Sequence, residues 1–552
     1  MNFVSRSLKF TAIVLCVAFL LGCGVEHIND SSHHGYDVDN NLNEPGVFPV
    51  CKEKITLTVG IARSDVVEDY ETNAMTKYLE EKMNAELDFV IYDTDDMNKT
   101  VELLMSAGGN NLPDIIISEN VDNFDMISYG QKGYIIPLNK YYENSSYYID
   151  KIVQKEGQGF IDMITMSDGN IYCIPKYTKI LQNEFGLKLW MYKPFLDVLG
   201  LDFPKTTDDF YNVLKAIKYE DPNGNGLNDE LPFVGNGLKN STTSSNFIDF
   251  VMSAFVYADV EDYYLYPENG KIHFACTDER WKEGLKYLYT LCSEGLLLSS
   301  SFTTTQEQFE ELINKQEPVV GAVVAISPPF RDGKDPKRYQ YKVVEPLMGP
   351  EGEKNAVIWA SKPRNNFFIT KNCKYPEAAF RLGDIMCDEY LAIINRWGIE
   401  GKDWQRASEV DISVANEEGY PAIIIPGLEW GERQNSHWFG LGPGYRDYNI
   451  GLGVAVTADN PVDYEVARSS LKYRNYTPEE YIVKLVYSID EYDEIIDIRE
   501  SIMSYVEKST IEFITGAKSI DDYWEEYVSS INAMGLEHYM NITQSVYDRM
   551  KN

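Results

Sequence analysis

The strongest constraint on the fold is a regular alternation of strand and helix patterns between residues 55 and 117. Residues 55–62 form an apolar, β-branched run that is typical of a buried strand, and runs at 87–92 and 113–117 resemble it. Apolar residues at helical spacing lie between these runs: first Met75, Tyr78, Leu79 and Met83, then Met97, Val101, Leu104 and Met105. Strands that alternate with helices predict an α/β fold with a parallel sheet covered on both faces.

The predicted sheet also indicates where a ligand would bind. In parallel α/β sheets, ligands bind in the crevice beyond the carboxyl ends of the strands. The first of these ends is the loop Arg63-Ser64-Asp65, and the third lies near Ser118-Glu119-Asn120. We therefore expect the binding site at this edge of the sheet.

The N-terminus has the pattern of a bacterial export signal. Arg6 and Lys9 precede an apolar run at residues 10–21, which is too short for a membrane-spanning helix of about 20 residues. The run ends at Leu20-Leu21-Gly22-Cys23, which resembles a lipobox. We predict a signal peptide at residues 1–22 and lipidation of Cys23, with the protein anchored on the extracytoplasmic face of the bacterial membrane. The alternative is an ordinary secretory signal in which the cysteine is incidental.

A polar segment follows the predicted lipidation site. Residues 24–50 are rich in Asn, Asp, Ser, His and Gly, and so few apolar residues cannot offset the entropy cost of ordering. We predict that residues 23–50 are the lipidated cysteine followed by a disordered tether. His33-His34 lie in this segment, and a solvated linker explains them better than a metal site does.

Charge and cysteine content exclude several classes of function. The formal net charge is −36, and removal of Arg6 and Lys9 with the signal peptide makes it −38. Such a surface repels nucleic acid and anionic membranes, so we expect no nucleic-acid partner and membrane contact through the lipid anchor only. The sequence contains no CxxC motif and no cysteine or histidine pair at metal-ligand spacing, so we do not expect a zinc or redox site. The sequence leaves open the disulfide state of six cysteines: Cys51, Cys173, Cys276, Cys292, Cys373 and Cys387.

An ordered series of short motifs carries a family resemblance. They are LPDII at 112–116, GYIIPL at 133–138, DGNIYCIP at 168–175, and LWMYK at 189–193 followed by Leu199-Gly200 and Pro204-Lys205-Thr206. Their order resembles family 1 of the extracellular solute-binding proteins, which bind carbohydrates. GIEGKDW at 398–404, FITG at 513–516 and DDYW at 521–524 resemble segments of the long lipoproteins of this family, so that the likeness runs from residue 52 to the end.

The resemblance implies an architecture and a function. The implied fold is two-lobed and periplasmic-binding-protein-like (type II), with a mostly parallel sheet flanked by helices in each lobe and a hinge between them. We expect residues 51–185 and 346–405 in the N-lobe, and residues 186–345 and 406–552 in the C-lobe. The implied function is capture of an oligosaccharide or polysaccharide fragment by a monomeric protein, for uptake through the permease subunits of an ABC transporter.

The sharpest local motif is an acidic, glycine-containing loop at residues 221–230. Side-chain oxygens lie at positions 1, 3, 5 and 9 of an EF-hand-like loop, provided by Asp221, Asn223, Asn225 and Asp229. Gly226 permits the turn, and the Leu227 carbonyl would supply position 7. Position 12 is Pro232 rather than glutamate, and the resemblance to the alginate-binding type implies that Glu230 replaces this ligand. We predict a structural calcium ion; an Asn-Gly-rich surface turn is the alternative.

Aromatic residues are the candidates for sugar contacts, because sugars present apolar C–H patches as well as hydroxyl groups. Trp359 follows the predicted return through the hinge, and Arg396 and Trp397 are adjacent. Trp430 and Trp438 flank an irregular stretch that contains Arg433 and His437. The predicted ligand-binding set is Trp190, Tyr177, Trp359, Arg396, Trp397, Trp430 and Trp438, and core packing is the alternative for each aromatic side chain.

Two other functions remain as alternatives. A secreted glycoside hydrolase would need a carboxylate pair, and with 86 acidic residues such pairs arise by chance. No Gly-x-Ser-x-Gly elbow, His-Glu-x-x-His helix or phosphate loop is present. A calcium-dependent surface adhesion protein would be expected to show β repeats, which are not visible. We therefore predict a binding protein that is not an enzyme.

Overall fold

The computed structural model describes residues 40–551 except 95, 120, 238–245, 330–339, 428–430 and 457–460. The predicted signal peptide, Cys23 and His33-His34 lie outside these residues. From Asp39 onward the chain forms one compact unit by its internal contacts. No helix of the described part is long and apolar enough to cross a membrane.

The strands of the described residues are short, and most lie in two sheets. In chain order they are β1 Ile55–Ala62, β2 Ala85–Tyr92, β3 Ile115–Ile117, β4 Ile174–Thr178, β5 Lys188–Tyr192, β6 Leu231–Val234, β7 Leu265–Glu268, β8 Lys271–Phe274, β9 Val320–Ala325, β10 Tyr341–Val344, β11 Arg364–Ile369, β12 Trp404–Arg406, β13 Ile424–Pro426 and β14 Gly444–Arg446. The three strands predicted between residues 55 and 117 are confirmed, as is their parallel pairing, in which Val59 lies beside Ile115.

The helices cover these sheets and add a long C-terminal bundle. In chain order they are α1 Ala74–Met83, α2 Met97–Ser106, α3 Asn123–Gln131, α4 Asn139–Asn144, α5 Tyr148–Glu156, α6 Gln158–Ile164, α7 Leu181–Glu184, α8 Lys193–Leu199, α9 Thr207–Tyr219, α10 Phe247–Met252, α11 Glu279–Ser293, α12 Gln306–Ile313, α13 Pro376–Met386, α14 Glu389–Trp397, α15 Tyr448–Leu452, α16 Pro461–Arg474, α17 Ile489–Ile514, α18 Ile520–Ala533 and α19 Leu536–Lys551. The predicted helices α1 and α2 bury Met75, Leu79, Met83, Val101 and Met105.

Two sheets organise the two lobes. Among the described residues, the sheet of the first lobe has the order β14-β4-β11-β3-β1-β2, and the sheet of the second lobe has the order β10-β5-β9-β6. Each sheet contains one reversed strand, which pairs antiparallel with its neighbours on both sides: β11 in the first sheet and β5 in the second. The other strands of each sheet run in a common direction. Each reversed strand is the first that the chain forms after it crosses from the other sheet.

The chain crosses between the two sheets near the carboxyl ends of the strands of the first sheet. The chain leaves the first sheet after β4 and returns to it at β11. Because β11 is reversed, its first residue, Arg364, lies beside Lys176 near the carboxyl end of β4. The three residues of β14 pair with β4 in this sheet, although they fall in the range expected for the second lobe. The lobe boundaries themselves stay a prediction.

The C-terminal helices pack on the body of the second lobe. Trp524 of α18 donates its indole N–H to Glu279 of α11 over 2.8 Å. Gln544 of α19 accepts a hydrogen bond from the backbone of Ile272 in β8 over 2.8 Å. Ile502 and Phe513 of α17 lie in the same hydrophobic core as the second sheet. Helix α17 is therefore held firmly, and its N-terminal turns project toward the first lobe.

Residues 40–50 correct the predicted length of the disordered tether. Leu42 and Val50 are buried, and the backbone N–H of Val50 donates to the carbonyl of Lys82 over 2.9 Å. Arg381 of α13 donates to the carbonyl of Asn43. The predicted tether of residues 23–50 was thus too long at its C-terminal end, because the few apolar residues there find a complementary surface on the first lobe.

The six cysteines that the sequence left open are free thiols. None is in a disulfide, and Cys51, Cys173, Cys276 and Cys387 are buried. Burial raises the pKa of the Cys173 thiol to about 12. These side chains act as small core residues.

Candidate ligand-binding site

A cavity of about 480 Å³ lies between the two lobes. The first lobe contributes residues 121–127, which follow β3, and residues 362–365 at the start of β11. The second lobe contributes residues 261–263 and the segment from Lys484 to Arg499. The cavity therefore lies at the carboxyl edge of the first sheet, as the strand order predicts.

Helix starts position several of the lining side chains. Asp122 caps α3 by accepting the backbone N–H of Phe124 over 2.7 Å. A capping box formed by Ser488 and Glu491 begins α17 and places Tyr492 in its first turn. Phe124 and Tyr492 then stack on each other, with ring centroids 5.6 Å apart. This aromatic pair joins the two lobes at the wall of the cavity.

The second-lobe wall contains a strained pair of tyrosines. Tyr263 and Tyr264 have φ values of +55° and +58°, a region that bulky L-residues rarely adopt. The guanidinium of Arg499 lies 4.0 Å from the centroid of the Tyr263 ring and 5.4 Å from that of Tyr492. Strained backbone of this kind clusters at ligand clamps, where surrounding contacts maintain it. This backbone conformation directs the Tyr263 ring toward the cavity, where the ring faces the guanidinium of Arg499.

Two acidic residues behind these tyrosines are buried. Asp249 accepts hydrogen bonds from the backbone of Val260 over 2.9 Å and from the hydroxyl of Tyr264 over 3.2 Å. Burial raises the pKa of Asp249 to about 7. Asp259 accepts the indole N–H of Trp359 over 3.1 Å, and burial raises its pKa strongly. These contacts fix the backbone that presents Tyr263.

Glu184 makes hydrogen bonds between the segments in which the chain passes from one lobe to the other. Its carboxylate accepts the backbone N–H of Ser361 over 3.0 Å and the hydroxyl of Tyr448. Its carbonyl accepts the backbone N–H of Trp359 over 2.9 Å. Trp359 is half-buried and packs on Gly186, where a Cβ atom would lie only 2.1 Å from Cζ3 of the indole ring. The predicted site residue Trp359 is thus part of the connection between the lobes.

Two predicted ligand contacts belong to the hydrophobic cores. Trp190 is fully buried in the second lobe, and its indole N–H donates to the carbonyl of Ala325 over 2.9 Å. Trp438 is fully buried in the first lobe, where it donates to the Thr76 hydroxyl over 2.8 Å. The prediction that these two rings face a ligand was wrong, because each has its only polar atom satisfied inside the core.

Three other predicted residues, Tyr177, Arg396 and Trp397, lie in the first lobe but do not line the cavity. Trp397 is buried, with the guanidinium groups of Arg396 and Arg446 at 5.7 and 5.5 Å from its ring. Tyr177 is buried and stacks on Phe160 at 5.8 Å. Trp430 lies outside the described residues.

The cavity is lined instead by residues that the sequence did not single out. They include Asp122, Tyr263, Tyr487, Tyr492 and Arg499. Only Asp122 had a local signal, because it follows the strand end at Ser118-Glu119-Asn120. With 39 tyrosines in the chain, no pattern distinguishes the three that reach the cavity.

The predicted calcium loop has converging oxygen atoms. Asp221 accepts the backbone N–H groups of Asn225 and Gly226 over 3.2 and 2.9 Å. The amides of Asn223 and Asn225 both donate to Asp229, over 3.3 and 3.2 Å. The loop is therefore closed on itself, with its polar side chains on the inside.

Glu230 at the end of this loop is buried without compensation. Its side-chain oxygens are inaccessible, and neither accepts a well-formed hydrogen bond. Burial raises the pKa of Glu230, while the backbone N–H groups of Glu230 and Asn223 partly oppose this. The described residues contain no group of three or more His, Cys, Asp or Glu side chains arranged to hold a metal. Amide and carbonyl oxygens would have to complete the ligand set.

Comparison with known proteins agrees with this geometry. The family model of the bacterial extracellular solute-binding proteins matches residues 65–386, more than half of the 552 residues. The fructooligosaccharide ABC transporter substrate-binding protein FusA of Streptococcus pneumoniae serotype 4 is 26% identical, in an alignment that covers 100% of this chain and 99% of FusA.

Solved structures show the same fold. FusA in complex with kestose has a TM-score of 0.70 at 24% identity, over 90% of this chain and 99% of FusA. An extracellular solute-binding protein from Bifidobacterium longum subsp. infantis has a TM-score of 0.75 at 21% identity, over 90% and 99% of the two chains. The alginate-binding protein AlgQ2 without calcium ion has a TM-score of 0.62 at 19% identity, over 92% and 100%. The chain therefore belongs to the family of bacterial extracellular solute-binding proteins and has their two-lobed, type II fold.

Proposed function

We propose that this protein captures an oligosaccharide in the cavity between its lobes and delivers it to an ABC importer. The observation that carries the proposal is the lining, in which Phe124, Tyr263 and Tyr492 lie beside the polar side chains of Asp122 and Arg499. Sugar sites combine such apolar ring faces with a few directed hydrogen-bonding groups. The relative FusA, whose solved complex contains kestose, supports this class of ligand.

The mechanism follows from contacts to both lobes. Asp122 and Arg364 belong to the first lobe, whereas Tyr263 and Arg499 belong to the second. A sugar that contacts both sides stabilises the closed state only, and this difference in affinity shifts the population toward closure. The permease subunits would then recognise the closed surface, while the unloaded protein is more open.

Membrane attachment is a separate proposal. Cys23 would carry the lipid and hold a monomeric protein on the extracytoplasmic face of the membrane. Stable anchoring requires more than one acyl chain, which agrees with the modification that a lipobox cysteine receives. The sequence between Cys23 and residue 40 would give the binding lobes their distance from the bilayer.

We further propose that calcium completes the loop at residues 221–230. Calcium prefers six to eight oxygen ligands, and the side chains of Asp221, Asn223, Asn225, Asp229 and Glu230 with the carbonyl of Leu227 provide such a set. The two uncompensated oxygens of Glu230 support this fit, since a buried carboxylate without a partner is costly. FusA has been solved as an EF-hand mutant, which is consistent with a loop of this kind in a relative.

A glycan screen tests the main proposal. Thermal unfolding of the purified protein is measured with a panel of neutral and acidic oligosaccharides, and each sugar that raises Tm is then titrated by calorimetry. Because a ligand that binds only the folded state stabilises it, we expect one class of oligosaccharide to raise Tm. The chain length of the bound sugar should stay unchanged on incubation.

Two results would contradict the proposal. If no oligosaccharide changes Tm or releases heat, the cavity does not serve sugar capture. If reducing ends are released in proportion to protein concentration, the protein is a hydrolase and the alternative function applies.

A further inference from the structure

The most buried charged side chain that lines the cavity is a cation. Arg499 is only 6% exposed, and its Nε atom makes no hydrogen bond. Its nearest acidic neighbour among the described residues is Glu500, 3.7 Å from Nη2, and that carboxylate is largely exposed. A buried guanidinium that is paired only with one exposed carboxylate is incompletely compensated, which is costly. The contacts with Tyr263 and Tyr492 hold its plane in place but do not neutralise its charge.

Lys484 is a second cation on the same wall. Its ammonium group donates to the carbonyl of Met163, and no carboxylate of the described residues lies within 4 Å of it. Burial lowers the pKa of Lys484 to about 8, and the nearby positive charge of Lys362 acts in the same direction. Lys484 therefore remains largely charged at neutral pH, and the carboxylate of Asp122, which raises its pKa, does not form a close ion pair with it.

Two of the three acidic residues that line the cavity lie at its solvent-exposed rim. Asp122 and Glu261 are exposed at the rim, and Asp262 is half-buried. Burial raises the pKa of Asp262 to about 6, although Lys362 partly opposes this. The lining holds four cations, Lys362, Arg364, Lys484 and Arg499, against these three carboxylates, in a chain whose formal net charge is −36. This local excess of cations is the reverse of the rest of the molecule.

We propose that the oligosaccharide carries a carboxylate, as in a uronic acid unit, and that Arg499 is the specificity-determining residue that binds it. The proposal rests on the proposed function, because it names the class of sugar that the cavity accepts. A planar guanidinium fits a carboxylate with two parallel hydrogen bonds, and its fixed position over Tyr263 reduces the entropy cost of forming them. Lys484 provides a second positive charge for the same group.

The test uses ligands that differ only in charge. Oligogalacturonates of three units and their methyl esters are titrated into the purified full-length protein by calorimetry, with neutral kestose and a sulfated trisaccharide alongside. A charge-assisted hydrogen bond is worth about 1.5 to 3 kcal/mol, so the free acid should bind about tenfold to a hundredfold more tightly than its ester. The difference should decrease at high salt, because salt screens the attraction.

Three variants assign this preference to a residue. Arg499→Gln should remove the difference between acid and ester, and Arg499→Lys should restore part of it because it keeps the charge. Lys484→Gln, which leaves the Arg499 contacts intact, should reduce the difference. Arg468→Gln is the matched control, since Arg468 is a partly exposed arginine paired with Glu417 at 3.3 Å outside the cavity. A purely structural role of Arg499 would lower Tm and weaken acid and ester equally.

The outcomes separate this proposal from the proposed function. Equal or tighter binding of the neutral sugars overturns the carboxylate assignment and leaves oligosaccharide capture intact. Tight binding of the sulfated sugar without binding of the uronates also overturns it. Absence of binding by every sugar overturns the proposed function and this inference with it.

Discussion

At the scale of single residues, Tyr492 is the side chain that best separates binding from folding. It is half-buried in the first turn of α17, where it stacks on Phe124 of the opposite lobe. A ligand in the cavity would contact the same ring. Its truncation therefore removes a contact to the ligand and across the lobes, while the core of α17 around Ile502 and Phe513 stays filled.

We expect Tyr492→Ala to weaken oligosaccharide binding about tenfold, because lost ring stacking and apolar contact are together worth about 1.5 kcal/mol. The midpoint of thermal unfolding should change little. Calorimetry and a melting curve give both values, and Tyr523→Ala on α18 is a control at an exposed tyrosine. Unchanged affinity would show that the ligand does not reach this wall.

Trp438 should show the opposite behaviour. It is fully buried against Tyr70 and Phe89, with its indole N–H bonded to Thr76. Trp438→Ala should lower the free energy of unfolding by about 3 to 5 kcal/mol, as expected for a truncated core aromatic residue. Denaturant titration measures this loss, and affinity should be preserved in the protein that remains folded. A stable variant with weakened binding would return Trp438 to the ligand site.

At the scale of elements, the proposed calcium loop between α9 and β6 is a local unit whose contribution can be measured. An ion that binds only the folded state stabilises it by mass action, so a chelator should lower Tm. Asp221→Ala combined with Asp229→Ala should lower Tm by itself and remove the response to chelator. Metal analysis of the purified protein should find calcium.

The control for this variant has the same change in charge. Glu525→Ala with Glu526→Ala removes two exposed carboxylates from α18, outside the loop. That variant should keep the response to chelator. A Tm that does not respond to chelator in the wild-type protein, with no calcium present, would establish the loop as an ordinary turn.

At the scale of the whole molecule, the proposed lipid anchor at Cys23 would determine where the binding lobes work. If Cys23 is lipidated, Cys23→Ala should release the protein from the membrane fraction into the medium, because the variant lacks the sulfur atom that would carry the lipid. Fractionation of cells that express each form measures the distribution, and the wild-type protein should shift to the detergent phase on phase separation. Retention of the variant in the membrane fraction would contradict lipid anchoring.

The sequence alone determined the features that depend on neighbours along the chain. The strands and helices between residues 55 and 117 follow from periodicity, since side-chain spacing along one segment decides which face is buried. The motif at Asp221–Glu230 could be recognised for the same reason, because all its oxygen atoms come from ten consecutive residues. The ordered motifs also allowed the family to be predicted before any contact was known.

Only the tertiary structure decided which side chains form the cavity. Phe124, Tyr263 and Arg499 come from segments more than a hundred residues apart, and the reversed strands β5 and β11 bring these segments to one edge. The spacing of a tryptophan in the sequence does not show whether it packs in a core or lines a cleft. For this reason, Trp190 and Trp438 could not be recognised as core residues from the sequence. Their burial depends on the shape of the surrounding surfaces, and that shape arises only when distant segments pack together.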